Sequence, residues 1–392
     1  MTPRGRDMCE SQIWLAPRKL RDDTFMSLSP EQAAEAPFDV GDILAAAVGA
    51  TFGKTYLHAL DIGPAAFAGY LVRISPSADF EPRFMAYWTE SCHYWDQVNT
   101  RVVQSTIQNF SAAKYAELRL PGPPRDAQRA IADYLDRETA RLDALLAAKE
   151  RLLGLLAEKR RALITRAVTR GLDPNVPLRD SGLPWIGEVP EHWEIWKVGH
   201  FAEIGNGSTP NHDNANYWTD GSIPWLNSSV VNQDDVTDAD QFVTEIALRE
   251  CHLPLVQPGS ILVGITGQGK TRGQAVVLSI EATINQHMAF VRPEHRRVDA
   301  RFLRWVFFAA YDYLRYISDD AGGTKGALTC EEVAVFKVPL PPIDEQRAIV
   351  AHVTAETGKL DALRAATERT IGLLRERCAA LIAEAVTGRL PL

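Results

Sequence analysis

The chain repeats itself. Residues 123–172 align without a gap to residues 341–390 at an offset of 218, with 28 of 50 positions identical. Self-similarity of this kind decides the architecture before any local pattern is read. Weaker matches continue upstream at nearly the same offset: Gly41-Asp-Ile-Leu44 with Gly259-Ser-Ile-Leu262, Gly53-Lys-Thr55 with Gly269-Lys-Thr271, and Arg83-Phe84 with Arg301-Phe302. The order of modules is therefore globular, helical, globular, helical. By the offset Met1 falls opposite Thr219, so the first globular module is expected to be N-terminally shortened.

Each helical copy carries its apolar residues on a heptad: Ile131, Leu135, Leu142, Leu145, Leu152, Leu156 and Leu163 in the first, Ile349, Val353, Leu360, Leu363, Leu374 and Leu381 in the second. A heptad sustained this long predicts a coiled-coil seam. Polar interruptions fall at matching positions (Glu138 with Glu356, Lys149 with Thr367, Lys159 with Arg377), so both copies keep one register. Pro123-Pro124 and Pro341-Pro342 stop the preceding strand, and Asp126 and Asp344 are expected to cap the helices. A helix of about 43 residues is about 65 Å long. A rod with one apolar seam needs a partner, and its twin is the nearest candidate.

The globular segments carry short apolar runs (261–263, 275–278, 288–291, 335–340) separated by Gly, Pro, Asn and Asp, with one helical stretch over 300–316. They read as mixed α+β domains. At 46% hydrophobic, 392 residues can bury more than one core. The five cysteines lie far apart, which argues against a disulfide framework and a thiolate zinc site and points to a reducing, cytoplasmic compartment. The longest run without Asp, Glu, Lys or Arg, 251–269, is broken by prolines and glycines and does not predict a membrane span, and the N-terminus lacks the apolar core of a signal peptide. The adjacent Cys92-His93 and Cys251-His252 pairs lack metal-ligand spacing and are assigned to packing.

One motif points elsewhere. Gly264-Ile-Thr-Gly-Gln-Gly-Lys-Thr271 fits the phosphate-loop pattern, which requires a helix to begin at the Lys-Thr so that its N-terminus faces the phosphates. Residues 272–278 read instead as a turn into a β-strand, and the first copy has Val48 where the leading glycine should sit. A tight glycine turn between strands is the expected structure. A phosphate-loop NTPase with coiled-coil arms is the alternative function, and a scaffold without sequence-specific contacts is a third.

At Leu183-Pro-Trp-Ile-Gly-Glu-Val-Pro-Glu-His-Trp193 the chain resembles the opening of a target-recognition domain in specificity subunits of type I restriction-modification enzymes. Gly205-Asn-Gly-Ser-Thr-Pro210, Tyr217-Trp218, Ile223-Pro-Trp-Leu226, Gly323-Thr-Lys-Gly326 and Pro339-Leu-Pro-Pro-Ile-Asp-Glu-Gln346 agree with it. The resemblance implies an α+β fold in which two mixed α/β target-recognition domains alternate with two long helices paired as an antiparallel coiled coil. The expected order is a first recognition domain over 1–122, a first helix over 123–172, a second recognition domain over 173–338 and a second helix over 339–392. Each domain would read one half of a bipartite site on double-stranded DNA, while the coiled coil sets the spacing and docks the modification (methyltransferase) subunits. The implied chain is not an enzyme and holds no cofactor or metal. S-adenosylmethionine, ATP and Mg would act on partner modification and restriction (translocase/nuclease) subunits.

Net charge −8 argues mildly against bulk nucleic-acid binding. By segment the charge is −3 for 1–122, +4 for 123–172, −9 for 173–338 and 0 for 339–392. The second globular domain is polarised: 234–250 holds six acids against one base, and 268–304 seven bases against three acids, so the basic stretch is the expected DNA face. The DNA-binding candidates are Lys270 and Arg272 on the glycine turn, Lys54 as the first-copy counterpart of Lys270, Lys325 in Gly322-Gly-Thr-Lys325, and Ser208 and Thr209 in the glycine-rich loop. Small residues let backbone approach phosphate, and Lys or Arg supplies charge and base-edge donors. Trp185, Trp193 and Trp225 are assigned to core packing.

Overall fold

The computed structural model describes residues 5–7, 14–16, 19–20, 26–49, 51–59, 65–101, 109–267, 269–319 and 326–390. Two helices dominate it, the first long helix Arg125–Arg170 and the second long helix Ile343–Val386. Asp126 and Asp344 lie inside the first turns rather than at the caps. The helices begin as soon as the prolines allow, with the Gln128 N–H donating to Pro124 O and the Gln346 N–H to Pro342 O, both at 3.0 Å. The two carboxylates lie in the first turn, a favourable place for negative charge.

The chain divides into two compact units, 1–152 with 366–392, and 153–365, so each long helix contributes to both units. In the first unit Ile131 and Leu135 share a buried cluster with Ile382, Ala385 and Val386, and Arg375 reaches Glu150 at 3.1 Å. In the second, Ile164, Ala167 and Val168 share a core with Ile349 and Val353, and Arg160 pairs with Asp361 at 3.5 Å. In both units, rising residue numbers on one helix meet falling numbers on the other. The helices pair as an antiparallel coiled coil.

The seam departs from a strict heptad in the same way in both copies. Leu145 and Leu363, predicted seam residues, are 43% and 47% exposed. The polar interruption predicted at Glu138 and Glu356 is occupied by Thr139 and Thr357, buried with their hydroxyls donating to the carbonyls of Leu135 and Val353. Toward the C-terminal ends the buried stripe moves from Leu163 to Ile164 and from Leu381 to Ile382. A straight helix drifts by about 20° per heptad against a 3.5-residue repeat, and here the globular domain joins the partner helix in covering the rotated face.

Within the first unit, β1 (Ile43–Ala46) pairs antiparallel with β2 (Thr55–Leu57) and β3 (Leu71–Ile74), backed by α1 (Pro82–Glu90) and α2 (Cys92–Arg101). Phe84, Tyr87, Trp88, Tyr94, Phe110 and Tyr115 fill the core they share with the long helices. Burial pushes the Tyr115 phenol up to about 12, and its hydroxyl donates to Ala46 O at 2.8 Å.

The second unit contains β4 (Glu194–Lys197), β5 (Ala202–Asn206), β6 (Ile223–Leu226), β7 (Asp235–Val236), β8 (Gln241–Val243), β9 (Ile261–Gly264), β10 (Ala275–Leu278), β11 (Thr283–Ile284) and β12 (Met288–Pro293). These are followed by α3 (Ala300–Asp319), α4 (Cys330–Val335) and β13 (Lys337–Leu340). The main sheet runs β5-β12-β9-β10-β7, and a smaller sheet runs β8-β6-β11. The continuous apolar strands β9 and β10 are buried throughout, as a sheet covered on both faces requires. Val335, expected in a strand, ends α4 and is exposed, because Thr329 and Glu332 form a capping box that starts a helix there. Trp193 and Trp225 are buried and Trp185 stacks on Phe336, the packing roles expected of them. Cys92 and His252 are exposed, contrary to expectation; His252 sits at φ 50 on the turn after the helix that ends at Glu250. Among the described residues no helix is long and apolar enough to cross a membrane.

Candidate nucleic-acid interface

The phosphate-loop pattern occupies a β-turn region. β9 and β10 pair antiparallel, Ile261 opposite Val277 and Val263 opposite Ala275, so a strand follows where a nucleotide-binding helix would be needed. The loop closes with Gly273 N–H to Gly264 O at 2.8 Å and Gly264 N–H to Gln274 O at 2.9 Å. A Cβ on Gly264 would meet Thr271 O at 2.3 Å, so the glycine is there for close backbone packing. The first copy closes its β1–β2 turn with the same bonds, Gly53 N–H to Ala46 O and Ala46 N–H to Lys54 O, both at 2.9 Å. Hydrogen bonding therefore aligns Gly53 with Gly273 and Lys54 with Gln274. The counterpart of Lys54 is not Lys270, because the second turn is two residues longer and moves the repeated Gly-Lys-Thr triplet out of register.

Three loops meet at one rim of the second unit. Ser208 N–H donates to Ile284 O at 3.0 Å, Ile265 N–H to His287 O at 3.0 Å, and Leu328 N–H to Ile265 O at 2.7 Å. Only glycine fits at position 207, where a Cβ would lie 1.6 Å from Ile284 O. Side chains continue the connection: Thr209 Oγ1 donates to Gln286 Oε1 at 2.5 Å, Gln286 Nε2 lies 3.4 Å from His287 Nε2, and Thr266 Oγ1 lies 2.6 Å from His287 Nδ1. Behind the rim, Trp225 Nε1 donates to Ser208 O at 3.1 Å, Trp218 packs on Trp225, and the exposed His212 stacks on Trp218 at 4.6 Å.

Ser208 and Thr209 thus belong to the rim. Lys270 is exposed on the adjoining turn, whose backbone is braced by Tyr311 Oη donating to Lys270 O at 3.0 Å and by Arg315 donating to Gly269 O at 2.5 Å. Lys54 is exposed at the equivalent turn of the first unit. Arg272 is only 2% exposed and is ion-paired with Asp319 at the end of α3, its chain turned inward beneath Gly326. Lys325 and the Gly322-Gly-Thr-Lys325 stretch lie outside the described residues. Sequence reading missed Gln286, His287 and Thr266. The available signal was the polar triplet Asn285-Gln286-His287 between two apolar strands, which no charge criterion selects.

The expected basic face is largely neutralised. Arg292 pairs with Glu203, Arg297 with Glu294 at 3.5 Å, Arg301 with Asp235 at 3.6 Å and Arg304 with Asp234 at 3.2 Å. Two of these pairs, through Asp234 and Asp235, join the acidic stretch to the basic one; the other two use Glu203 and Glu294. Burial pulls the Arg304 guanidinium below its usual range, opposed by Asp234. Among the described residues of the basic stretch, Lys270 and Arg296 have no ion pair. A rim of Gln, His, Thr and Ser beside one free lysine suits hydrogen bonding to base edges, with limited phosphate charge. Among the described residues no cluster of His, Cys, Asp or Glu could hold a metal ion.

Two domains of one pattern, carried on a repeated pair of antiparallel helices, define a class of duplicated, rod-linked proteins. Residues 190–365 match the family model of the type I restriction modification DNA specificity domain. The specificity subunit of the Escherichia coli EcoR124I/EcoR124II enzyme is 25% identical over 40% of this chain and 39% of its own length. The EcoKI specificity subunit of Escherichia coli K12 is 23% identical over 78% of this chain and 65% of its own. The MjaIX specificity subunit of Methanocaldococcus jannaschii is 28% identical over 42% and 38%. The matches therefore span less than two thirds of these relatives. In fold, the chain resembles a chain from a solved structure of a type I R-M system (TM-score 0.75, 18% identity, 95% of this chain and 88% of that one). It also resembles the HsdS subunit from Thermoanaerobacter tengcongensis (TM-score 0.55, 18% identity, 94% and 86%). By these comparisons the chain is similar to the specificity subunits of type I restriction-modification systems.

Proposed function

We propose that this chain is the DNA sequence-recognition subunit of a type I restriction-modification complex, each globular domain reading one half of a bipartite site on double-stranded DNA. The observation that carries the reading is the duplication in three dimensions: one chain presents two versions of the same turn, strand and helix-junction geometry on two antiparallel helices. Such a chain can address two different half-sites while offering two similar surfaces to two identical partners. Leu155 and Leu373, 218 positions apart on the long helices, are 61% and 65% exposed and supply one apolar point on each surface. The partners would be the modification (methyltransferase) subunits, with the restriction (translocase/nuclease) subunits joining the same complex. S-adenosylmethionine, ATP and Mg would be held by those chains, and this one would carry no chemical step. The place of action is the cytoplasm, where the DNA lies.

The reading is tested by selecting duplexes from a random DNA library with the chain bound to its modification subunits. Enrichment of two specific blocks separated by a fixed unspecified spacer supports it. Retention of all sequences alike favours a scaffold without specific readout.

A further inference from the structure

Each long helix carries one buried glutamine in its first turns, Gln128 at 1% exposure and Gln346 at 0%. Their bonds are the same. Gln128 Oε1 accepts from Glu81 N–H at 2.9 Å, and its Nε2 donates to Asp79 O at 3.1 Å and Pro123 O at 2.8 Å. Gln346 Oε1 accepts from Asp299 N–H at 2.9 Å, and its Nε2 donates to Arg297 O at 2.9 Å and Pro341 O at 2.8 Å. All four positions of one set map onto the other at the 218-residue offset.

Glu81 and Asp299 immediately precede the helices α1 and α3, and the Asp299 carboxylate accepts from the N–H groups of Arg301 and Phe302. One carboxamide therefore ties the start of a domain helix, the segment before it and the start of the long helix into a single joint. Glutamine alone among side chains of this length accepts once and donates twice from one planar group, and both of its amide protons are used. A buried polar group satisfied this fully specifies one arrangement of the parts it joins.

The second tier differs between copies. Beneath Gln128, Arg83 donates to Asp136 at 2.6 Å and Tyr87 Oη donates to the same carboxylate at 2.6 Å. The equivalent positions in the other copy are Arg301, Trp305 and Thr354, and there a cavity of about 240 Å³ remains, with Arg160, Arg304 and Asp361 in its wall. The second joint therefore has no carboxylate from the long helix on Arg301, which pairs instead with Asp235 at 3.6 Å.

We propose that Gln128 and Gln346 are positioning residues for DNA reading: each fixes the angle at which a recognition domain is carried on its long helix, and so how strictly the chain holds one half-site separation. The inference rests on the function proposed above. Loosening a joint leaves the base-contacting rim intact, so half-site readout survives while spacer strictness falls. Gln346 matters more than Gln128, since its joint has less behind it.

The test uses the complete complex with its modification subunits and duplexes carrying both half-sites with the cognate spacer, or a spacer one base pair longer or shorter. Gln346→Glu keeps the acceptor and loses the two donations; Gln346→Met keeps the length without charge and serves if the first variant folds poorly. Leu262→Ala, a core truncation away from the joint, controls for stability. The expected result is a fall of about tenfold in the preference for the cognate spacer in the Gln346 variants, a smaller fall in Gln128→Glu, and none in Leu262→Ala. Folded Gln346 variants with wild-type spacer preference, or equal widening in Leu262→Ala, would overturn the proposal. A wild-type complex with no sequence preference would overturn the function reading itself, and is distinguished because it appears before any substitution is made.

Discussion

Thr209 Oγ1 donates to Gln286 Oε1 at 2.5 Å, joining a glycine-rich loop to a turn 77 residues further along the chain. The exposed Gln286 places its amide nitrogen on the rim, 3.4 Å from His287 Nε2. Gln286→Ala should therefore relax the recognised sequence at one position of one half-site, with a loss of about 1–3 kcal/mol in discrimination there. Methylation mapping with the variant checks this. An unchanged motif would remove Gln286 from the reading set.

Lys270 should behave differently. As an exposed cation on a braced turn it is placed for a phosphate, which carries no sequence information. Lys270→Ala should weaken all sequences alike and reduce the slope of log K against log salt by about 0.9. A change of motif in this variant would instead assign the residue to base contact.

The buried guanidinium of Arg304 gives a stability prediction with an unusual sign. Its guanidinium is almost fully buried with Nε unpartnered, while Asp234 opposite is largely exposed. Desolvation opposes the pair, so Arg304→Met should be neutral or stabilising within about 1 kcal/mol in urea unfolding of the chain. Phe302→Ala, which empties a fully buried site two residues away, should cost about 3–5 kcal/mol.

Docking can be separated from reading. Leu155→Glu and Leu373→Glu alter exposed positions and should leave thermal unfolding within about 0.5 kcal/mol of wild type. Each should nonetheless lower the number of modification subunits bound per chain, measured by native mass spectrometry. Full occupancy in the double variant would place the docking surface elsewhere.

The duplication and the two long helices were legible in the sequence because identity and heptads are linear signals. The detailed seam was not. Thr139 and Thr357 replace the glutamates beside them, and Ile164 and Ile382 replace the adjacent leucines, because the globular domains together with the partner helix bury a rotated face that no coiled-coil template includes. Charge was misleading for a related reason. Asp234 and Arg304 are 70 residues apart and neutralise each other, so a basic stretch in the chain is not a basic face in the fold. The mismatch of Lys54 with Lys270 arose from a two-residue difference in turn length, which hydrogen-bond register exposes and sequence identity conceals.

The deficit of positive charge left after this pairing sets an expectation for the isolated chain. Its DNA binding should be weak and salt-sensitive, and should tighten when modification subunits are added. Tight specific binding by the chain alone at physiological salt would contradict the charge argument.

The central claim is that each recognition domain reads its own half of the site. It is tested most directly by exchanging residues 183–338 for the matching segment of another specificity subunit and mapping methylation in cells that supply the modification subunits. The account predicts that one half of the bipartite motif changes while the other half persists. A motif unchanged by the exchange, or changed in both halves, would contradict it.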